Sequence, residues 1–345
     1  MDHAKRRLLH AFGASLLTAG WVPKVLASSP QLLYRYGQLP APDAVQRVFA
    51  AGPPAAVLLY CLAPEKMLGW PYNLSDQSRF YLSPDYQQIP FVGRLAGRGS
   101  TIPLESLLAL SPDVILDAGV VNQTHQSAAE NVARQTGIPY VLVDGTLADS
   151  PRQLLYAGDL LQVSERAAML AAHATEILDK TANAVAKQAP SVYLARGIDG
   201  LETGLAGSIH AEVISHVGAR NVAAAAGTGG LAQVSMEQLL AWDPDFIFAQ
   251  DAAFFETAKR SPLWNSLRAV REGRLLLVPS LPFGWVDVPP GINRLLGLLW
   301  VKATLEQDQL WLPDRVREFF LRFYQRLLTL EELQGLLAQP VYKAH

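Results

Sequence analysis

An internal duplication constrains this chain more than any other feature. Glu105-Ser-Leu-Leu-Ala-Leu-Ser-Pro-Asp-Val-Ile-Leu116 agrees with Glu237-Gln-Leu-Leu-Ala-Trp-Asp-Pro-Asp-Phe-Ile-Phe248 at seven of twelve positions, at a separation of 132 residues. Each copy reads as a short helix, a Pro-Asp turn and a buried strand. Solenoid units recur every ~20–50 residues, so this spacing instead suits one α/β lobe per copy. Two lobes of similar build are expected.

Apolar runs of strand length surround each copy: Arg47–Ala51, Val114–Ala118 and Tyr140–Val143 in the first half, Val192–Ala195, Phe246–Ala249 and Leu275–Val278 in the second. Such runs, alternating with helical patterns, are what parallel sheets covered by helices require. Pro53 and Pro54 suit a first helical turn, as does Pro103, and Ser235 with Gln238 forms a capping box. Ser164–Gln188 has neither Gly nor Pro and carries Met169, Ala172, Ile177, Leu178 and Val185 at helical spacing. That pattern predicts one rigid helix of about 37 Å between the lobes, stopped by Pro190, and hence small hinge motion. The expected fold class is α/β, with two Rossmann-like lobes of parallel sheet joined by one long helix and a ligand cleft between them. The expected boundaries are 28–163 for the first lobe, 164–189 for the connecting helix and 190–345 for the second lobe.

Residues 1–27 read as an export signal, with Lys5, Arg6 and Arg7 before the apolar stretch Leu8–Val22 and the small-residue cleavage site Val25-Leu26-Ala27. Two arginines before Leu-Leu, an apolar stretch weakened by Gly13 and Gly20, and Lys24 near the cleavage site favour the twin-arginine route over the general secretory one. Pro23 and Lys24 end the apolar run short of the ~20 residues a membrane span needs, and the later rich stretch Gly291–Val301 carries Arg294. A periplasmic, soluble mature chain is expected. Removing the signal takes the balance from 29 basic and 31 acidic residues to 25 and 30, moving the net charge from −2 to −5. A net acidic chain argues against nucleic acid as a partner. The single cysteine, Cys61, lies in the apolar run Val57–Leu62, so a packed core thiol is expected, and no cysteine follows the cleavage site to carry a lipid.

In Leu104–Leu116, Gly207–Val222, Val234–Phe248 and Ser261–Pro279, and across essentially the whole mature chain, the sequence resembles the metal-chelate class of ABC-importer binding proteins. That group carries ferric siderophores, haem, cobalamin and some oxyanions. The resemblance implies a periplasmic solute-binding protein, a monomer with no cofactor of its own and no catalytic residue. It would deliver an iron-siderophore or related metal chelate to an ABC permease dimer with its ATPase. Oxyanions such as molybdate or tungstate, haem and cobalamin are the alternatives within the same fold. In that family an acidic residue on each lobe docks onto permease arginines, and the repeat places Glu105 and Glu237 at the matching positions. The helix dipole favours a first-turn carboxylate by ~0.3–1 kcal/mol, which accounts for one such glutamate without a partner. Its recurrence at an equivalent position favours docking.

Ligands of open α/β sheets collect beyond the carboxyl ends of the strands. The loops there hold Trp70, Tyr72 and Arg94 in the first half and Arg196, His210 and Trp285 in the second. These six are the candidate ligand-binding residues. Aromatic rings offer flat apolar area to a chelator, and arginine offers a fixed fork to carboxylate, catecholate or oxyanion groups. The structural alternatives are surface packing for the tryptophans, a solvated position for Arg196 and a backbone contact near a helix start for His210. No His pair at i, i+4 and no Cys/His cluster occurs. A preformed chelate or oxyanion is therefore favoured over a bare cation, and no metal-ligating residue is assigned.

Rival readings are weaker. Gly227-Thr-Gly229-Gly-Leu-Ala232 fits a loose dinucleotide-binding pattern with Asp251 further on, as an NAD-type oxidoreductase requires, but four alanines precede it in place of a buried strand. A hydrolase lacks both the G-x-S-x-G elbow and the H-E-x-x-H helix. A sensor outside transport would use the same lobes and differ in having no permease.

Overall fold

A computed structural model describes residues 32–338, apart from 98, 186 and 188. The export-signal reading of residues 1–27 lies outside the described residues.

All six predicted apolar runs are strands. β1 (Leu33–Tyr36), β2 (Val48–Ala50), β3 (Val114–Gly119) and β4 (Tyr140–Asp144) form the first sheet, in the order β1-β4-β3-β2. β5 (Ser191–Ala195), β6 (Glu202–Gly204), β7 (Arg220–Asn221), β8 (Leu231–Gln233), β9 (Phe246–Ala249) and β10 (Leu275–Leu277) follow. The second sheet runs β10-β9-β5-β7 and is parallel throughout. β6 and β8 make a small antiparallel pair beside it. Only β1 breaks the parallel pattern of the first sheet, lying antiparallel on the edge against β4.

Alternation along each strand divides the core into three parts. Phe49, Ile115, Tyr140 and Leu142 face an outer cluster of the first lobe, and Tyr193, Ala195, Ile247 and Ala249 face an outer cluster of the second. The residues between them, Val48, Leu116, Val141, Val192, Leu194 and Phe248, belong to one central core shared by both sheets. Both faces of each sheet are thus buried, which is why the strands read as unbroken apolar runs.

The two copies of the repeat are also built alike. Helix Leu104–Ala109 leads to β3 and helix Met236–Trp242 to β9. Ser111 and Asp243 occupy equivalent positions at the helix ends, both with positive φ (46° and 35°). Two residues on, the Asp113 carboxylate accepts from the Gln46 and Arg47 N–H groups (2.8 and 2.7 Å), and the Asp245 carboxylate accepts from the Ser191 N–H (2.8 Å). In each lobe the repeated aspartate therefore ties down the start of the neighbouring strand. The glycines of the rival dinucleotide pattern follow a 3-10 turn, Val222–Ala226, and run into β8 rather than opening a helix.

The connection between lobes departs from expectation in two ways. The connecting helix is Ser164–Thr181, 18 residues rather than 25, or about 27 Å. It stops because the Asn183 and Val185 N–H groups bond to the His216 and Val217 carbonyls of the second lobe (2.8 and 3.0 Å) instead of to the helix. Nor is that helix the sole link. The C-terminal helices Leu312–Phe323 and Leu330–Leu337 return to the first lobe, where the Tyr60 hydroxyl donates to the Tyr324 carbonyl (3.1 Å) and Tyr81 packs edge-on against Phe320. The boundary expected at 190–345 thus describes a lobe whose last helices pack on its neighbour.

Candidate functional site

The carboxyl ends of both sheets meet across a narrow cleft. Its floor, lined by Pro54, Ala118 and Gly119 from the first half and by Pro290, Gly291 and Ile292 from the second, leaves a cavity of about 10 Å³, room for about one water molecule. A Cβ on Gly291 would stand 2.9 Å from the Asn293 Oδ1 and 3.4 Å from the Pro54 Cα, so the glycine lets the backbone pack closely here. Below the cleft, Glu212 joins the halves. Its carboxylate accepts from the Leu147 N–H of the first lobe (2.8 Å) and pairs with Arg294, whose guanidinium also donates to the Ile209 carbonyl (2.9 Å). Burial lowers the pKa of Arg294, and Glu212 opposes that shift.

On the second lobe, Arg196 directly follows β5 and Gln250 directly follows β9, so parallel pairing of these strands brings the two side chains to one edge. Asp287, from the loop after β10, is buried between them. It pairs with both Arg196 and His210 and accepts from the Gln250 amide (3.2 Å). Arg196 donates from Nε to Glu202 (3.1 Å), and the backbone N–H of Arg196 bonds to the Glu202 carbonyl (2.9 Å). Arg196 is buried rather than solvated, and His210 bonds a carboxylate rather than only backbone. The carboxylates turn a flexible arginine into a fixed one, since its fork is held from two sides. The buried oxygen Oε1 of Gln250 has no hydrogen-bond partner among the described residues.

On the first lobe, Arg94 opens a turn whose next two residues, Leu95 and Ala96, donate to the Ala51 carbonyl at the end of β2 (2.8 and 2.9 Å). Arg94 itself is half-buried and donates from Nε to the Gly99 carbonyl (3.0 Å). Nearby, the buried carboxyl of Asp117, within β3, accepts from the Tyr140 hydroxyl (3.0 Å). Burial raises its pKa despite that bond and the bond from Ala118 N–H.

The predicted aromatic residues are placed otherwise. Trp70 and Trp285 are both 0% exposed, and Tyr72 packs on Trp70 with its phenol pKa raised by burial. Trp70 lies 5.5 Å from both Tyr60 and Phe283, so it joins rings from the two halves of the chain, and the Trp285 indole donates to the Leu281 carbonyl (2.9 Å). The two tryptophans form the seam of the central core and present no face to a ligand in this structure, whereas Tyr72 is only partly buried beside them. Turn residues beside them gave them the look of surface loops. The tryptophan side chains are buried because they pack between lobes, while neighbours such as Asn73 and Val288 stay exposed. Sequence reading also missed Asp287, Glu202, Gln250 and Glu212. Gln250 alone had a local signal, its position immediately after a predicted strand.

Glu105 and Glu237 are exposed, each in the first turn of its repeat helix. The Glu237 carboxyl is held below its usual range by its own backbone N–H and by Ser235. Cys61 is fully buried, and burial pushes its thiol up to about 12. Among the described residues no group of three or more His, Cys, Asp or Glu could hold a metal ion, and no helix is long and apolar enough to cross a membrane.

A two-lobed α/β chain with polar groups at the facing strand ends has the architecture of a solute-binding protein. Residues 83–281 match the periplasmic binding protein family, and the chain belongs to that family. Its members are transport proteins that bind a solute for an ABC transporter with its permease and ATPase. Among solved structures, an ABC transporter solute-binding protein from Sulfurospirillum deleyianum is 28% identical and superimposes with a TM-score of 0.77, over 87% of this chain and 95% of that one. The molybdate-binding protein MolA of Haemophilus influenzae is 25% identical over 71% of this chain and 75% of its own length. The structure of MolA bound to molybdate gives a TM-score of 0.64 at 21% identity, covering 85% of this chain and 96% of that one.

Proposed function

We propose that this chain captures an anionic metal chelate of the iron-siderophore kind in the cleft and hands it to an ABC import permease. The observation carrying this reading is the placement of one arginine on each lobe, Arg94 beside the end of β2 and Arg196 at the end of β5. A ligand with acidic groups on two sides satisfies both. Glu202, the more exposed of the two carboxylates on Arg196, is the partner a ligand carboxylate or catecholate replaces, while buried Asp287 keeps the guanidinium in position. Exposed apolar residues on the loops after the strands, Val120, Ile198 and Val288, suit the organic part of a chelate. Export by the twin-arginine route, as a monomer, completes the reading.

A bare oxyanion is the second reading, favoured by the likeness to MolA and by the small cavity at the cleft floor. Thermal melts with ferric citrate, a ferric tricatecholate, haem, cobalamin and molybdate separate the readings. A ligand at 100 times its Kd stabilises by ~2.7 kcal/mol, a rise of roughly 4 °C for a chain of this size. Ferric chelates are expected to give that rise, Arg94→Ala to weaken it and Arg196→Lys to weaken it further. A rise with molybdate alone decides for the oxyanion.

A further inference from the structure

The duplicated helices share a property that neither the fold nor ligand capture uses. In each copy a fully buried leucine, Leu107 or Leu239, is followed by one left in solvent, Leu108 at 45% and Leu240 at 37% exposure. The exposed pair is equivalent, each three residues beyond an exposed glutamate, and exposed Ala109 and Ala241 extend each apolar spot. Residues three apart share a helix face, so each lobe presents a carboxylate beside a leucine side chain. One exposed leucine needs no explanation. Its presence at equivalent places in two copies that differ at five of twelve positions calls for one.

From this repetition we infer that Leu108 and Leu240 are apolar anchors of a docking face for a partner made of two like halves, each entering a recess beside the cationic group that receives Glu105 or Glu237. The inference rests on the reading that the chain serves an ABC permease dimer. Two like halves offer each lobe the same recess, and the chain meets them with the same pair twice. Charge pairs on an open surface weaken as salt rises, whereas an apolar anchor does not, so the two components have separable signatures.

The test measures binding of the ligand-loaded mature chain to its permease–ATPase complex in lipid nanodiscs across a series of salt concentrations. Replacing both leucines (Leu108→Ser with Leu240→Ser) is expected to weaken binding about ten-fold or more at every salt concentration, in the range of an interface anchor, with an unchanged salt slope. Glu105→Gln with Glu237→Gln is expected to flatten that slope. Both substitutions are at exposed positions, and an unchanged thermal midpoint confirms that the fold persists. Wild-type affinity in the leucine double variant overturns the inference, as does a loss produced entirely by one of the two single variants. A wild-type chain that does not bind the complex at all overturns the permease reading itself.

Discussion

Asp245 shows how much one side chain of the repeat carries. It accepts from the Ser191 N–H and hydroxyl and pairs with Arg268 (2.8 Å). Partial burial pushes its pKa up, but these partners outweigh that and hold it at about 2. A carboxyl with a folded pKa below its unfolded value stabilises fully above the unfolded value, near 4, and loses that contribution as pH falls toward the folded one. Urea midpoints measured from pH 5 to pH 2 are expected to fall less steeply in Asp245→Asn than in the wild type, with the two curves converging near pH 2. Parallel curves contradict the assignment. The role of Asp245 was legible in outline, because Pro-Asp recurs in both copies. The role of Asp287 was not, since it depends on three partners, Arg196, His210 and Gln250, that come from separate loops.

At the scale of elements, strand identity was readable because both faces of each sheet are buried, which leaves unbroken runs such as Phe246–Ala249 and Tyr140–Val143. β1 escaped notice because its four residues are only partly buried and include Arg35. The connecting helix was overextended because composition records what can be helical, not where a backbone N–H finds a better acceptor in another lobe. The burial of Trp70 went unseen for the same reason, since its packing against Phe283 is set by a contact more than two hundred residues away along the chain. The joint at Glu212 links the turn at Leu147, the helix Glu212–His216 and the helix Arg294–Glu306. Glu212→Ala leaves buried Arg294 without its counter-charge, a change that costs about 3–5 kcal/mol. Chemical denaturation is expected to show that loss, and Glu212→Ala with Arg294→Met to recover much of it.

For the whole molecule, the shared central core and the returning C-terminal helices bind the lobes at more places than one helix could. Small closing motion is therefore expected of this chain, with the ligand held by groups already in position rather than by a large rearrangement. Asp287 and Glu202 fix Arg196 ahead of any ligand, and the two lobes approach across glycine and proline at the cleft floor. Native mass spectrometry with elemental analysis of the mature chain taken from periplasmic extract tests this account most directly. The account predicts one ligand per chain carrying about one metal atom, lost in parallel when Arg94 and Arg196 are both replaced by alanine. A chain that carries a metal-free organic solute, or that holds its metal equally well without both arginines, contradicts it.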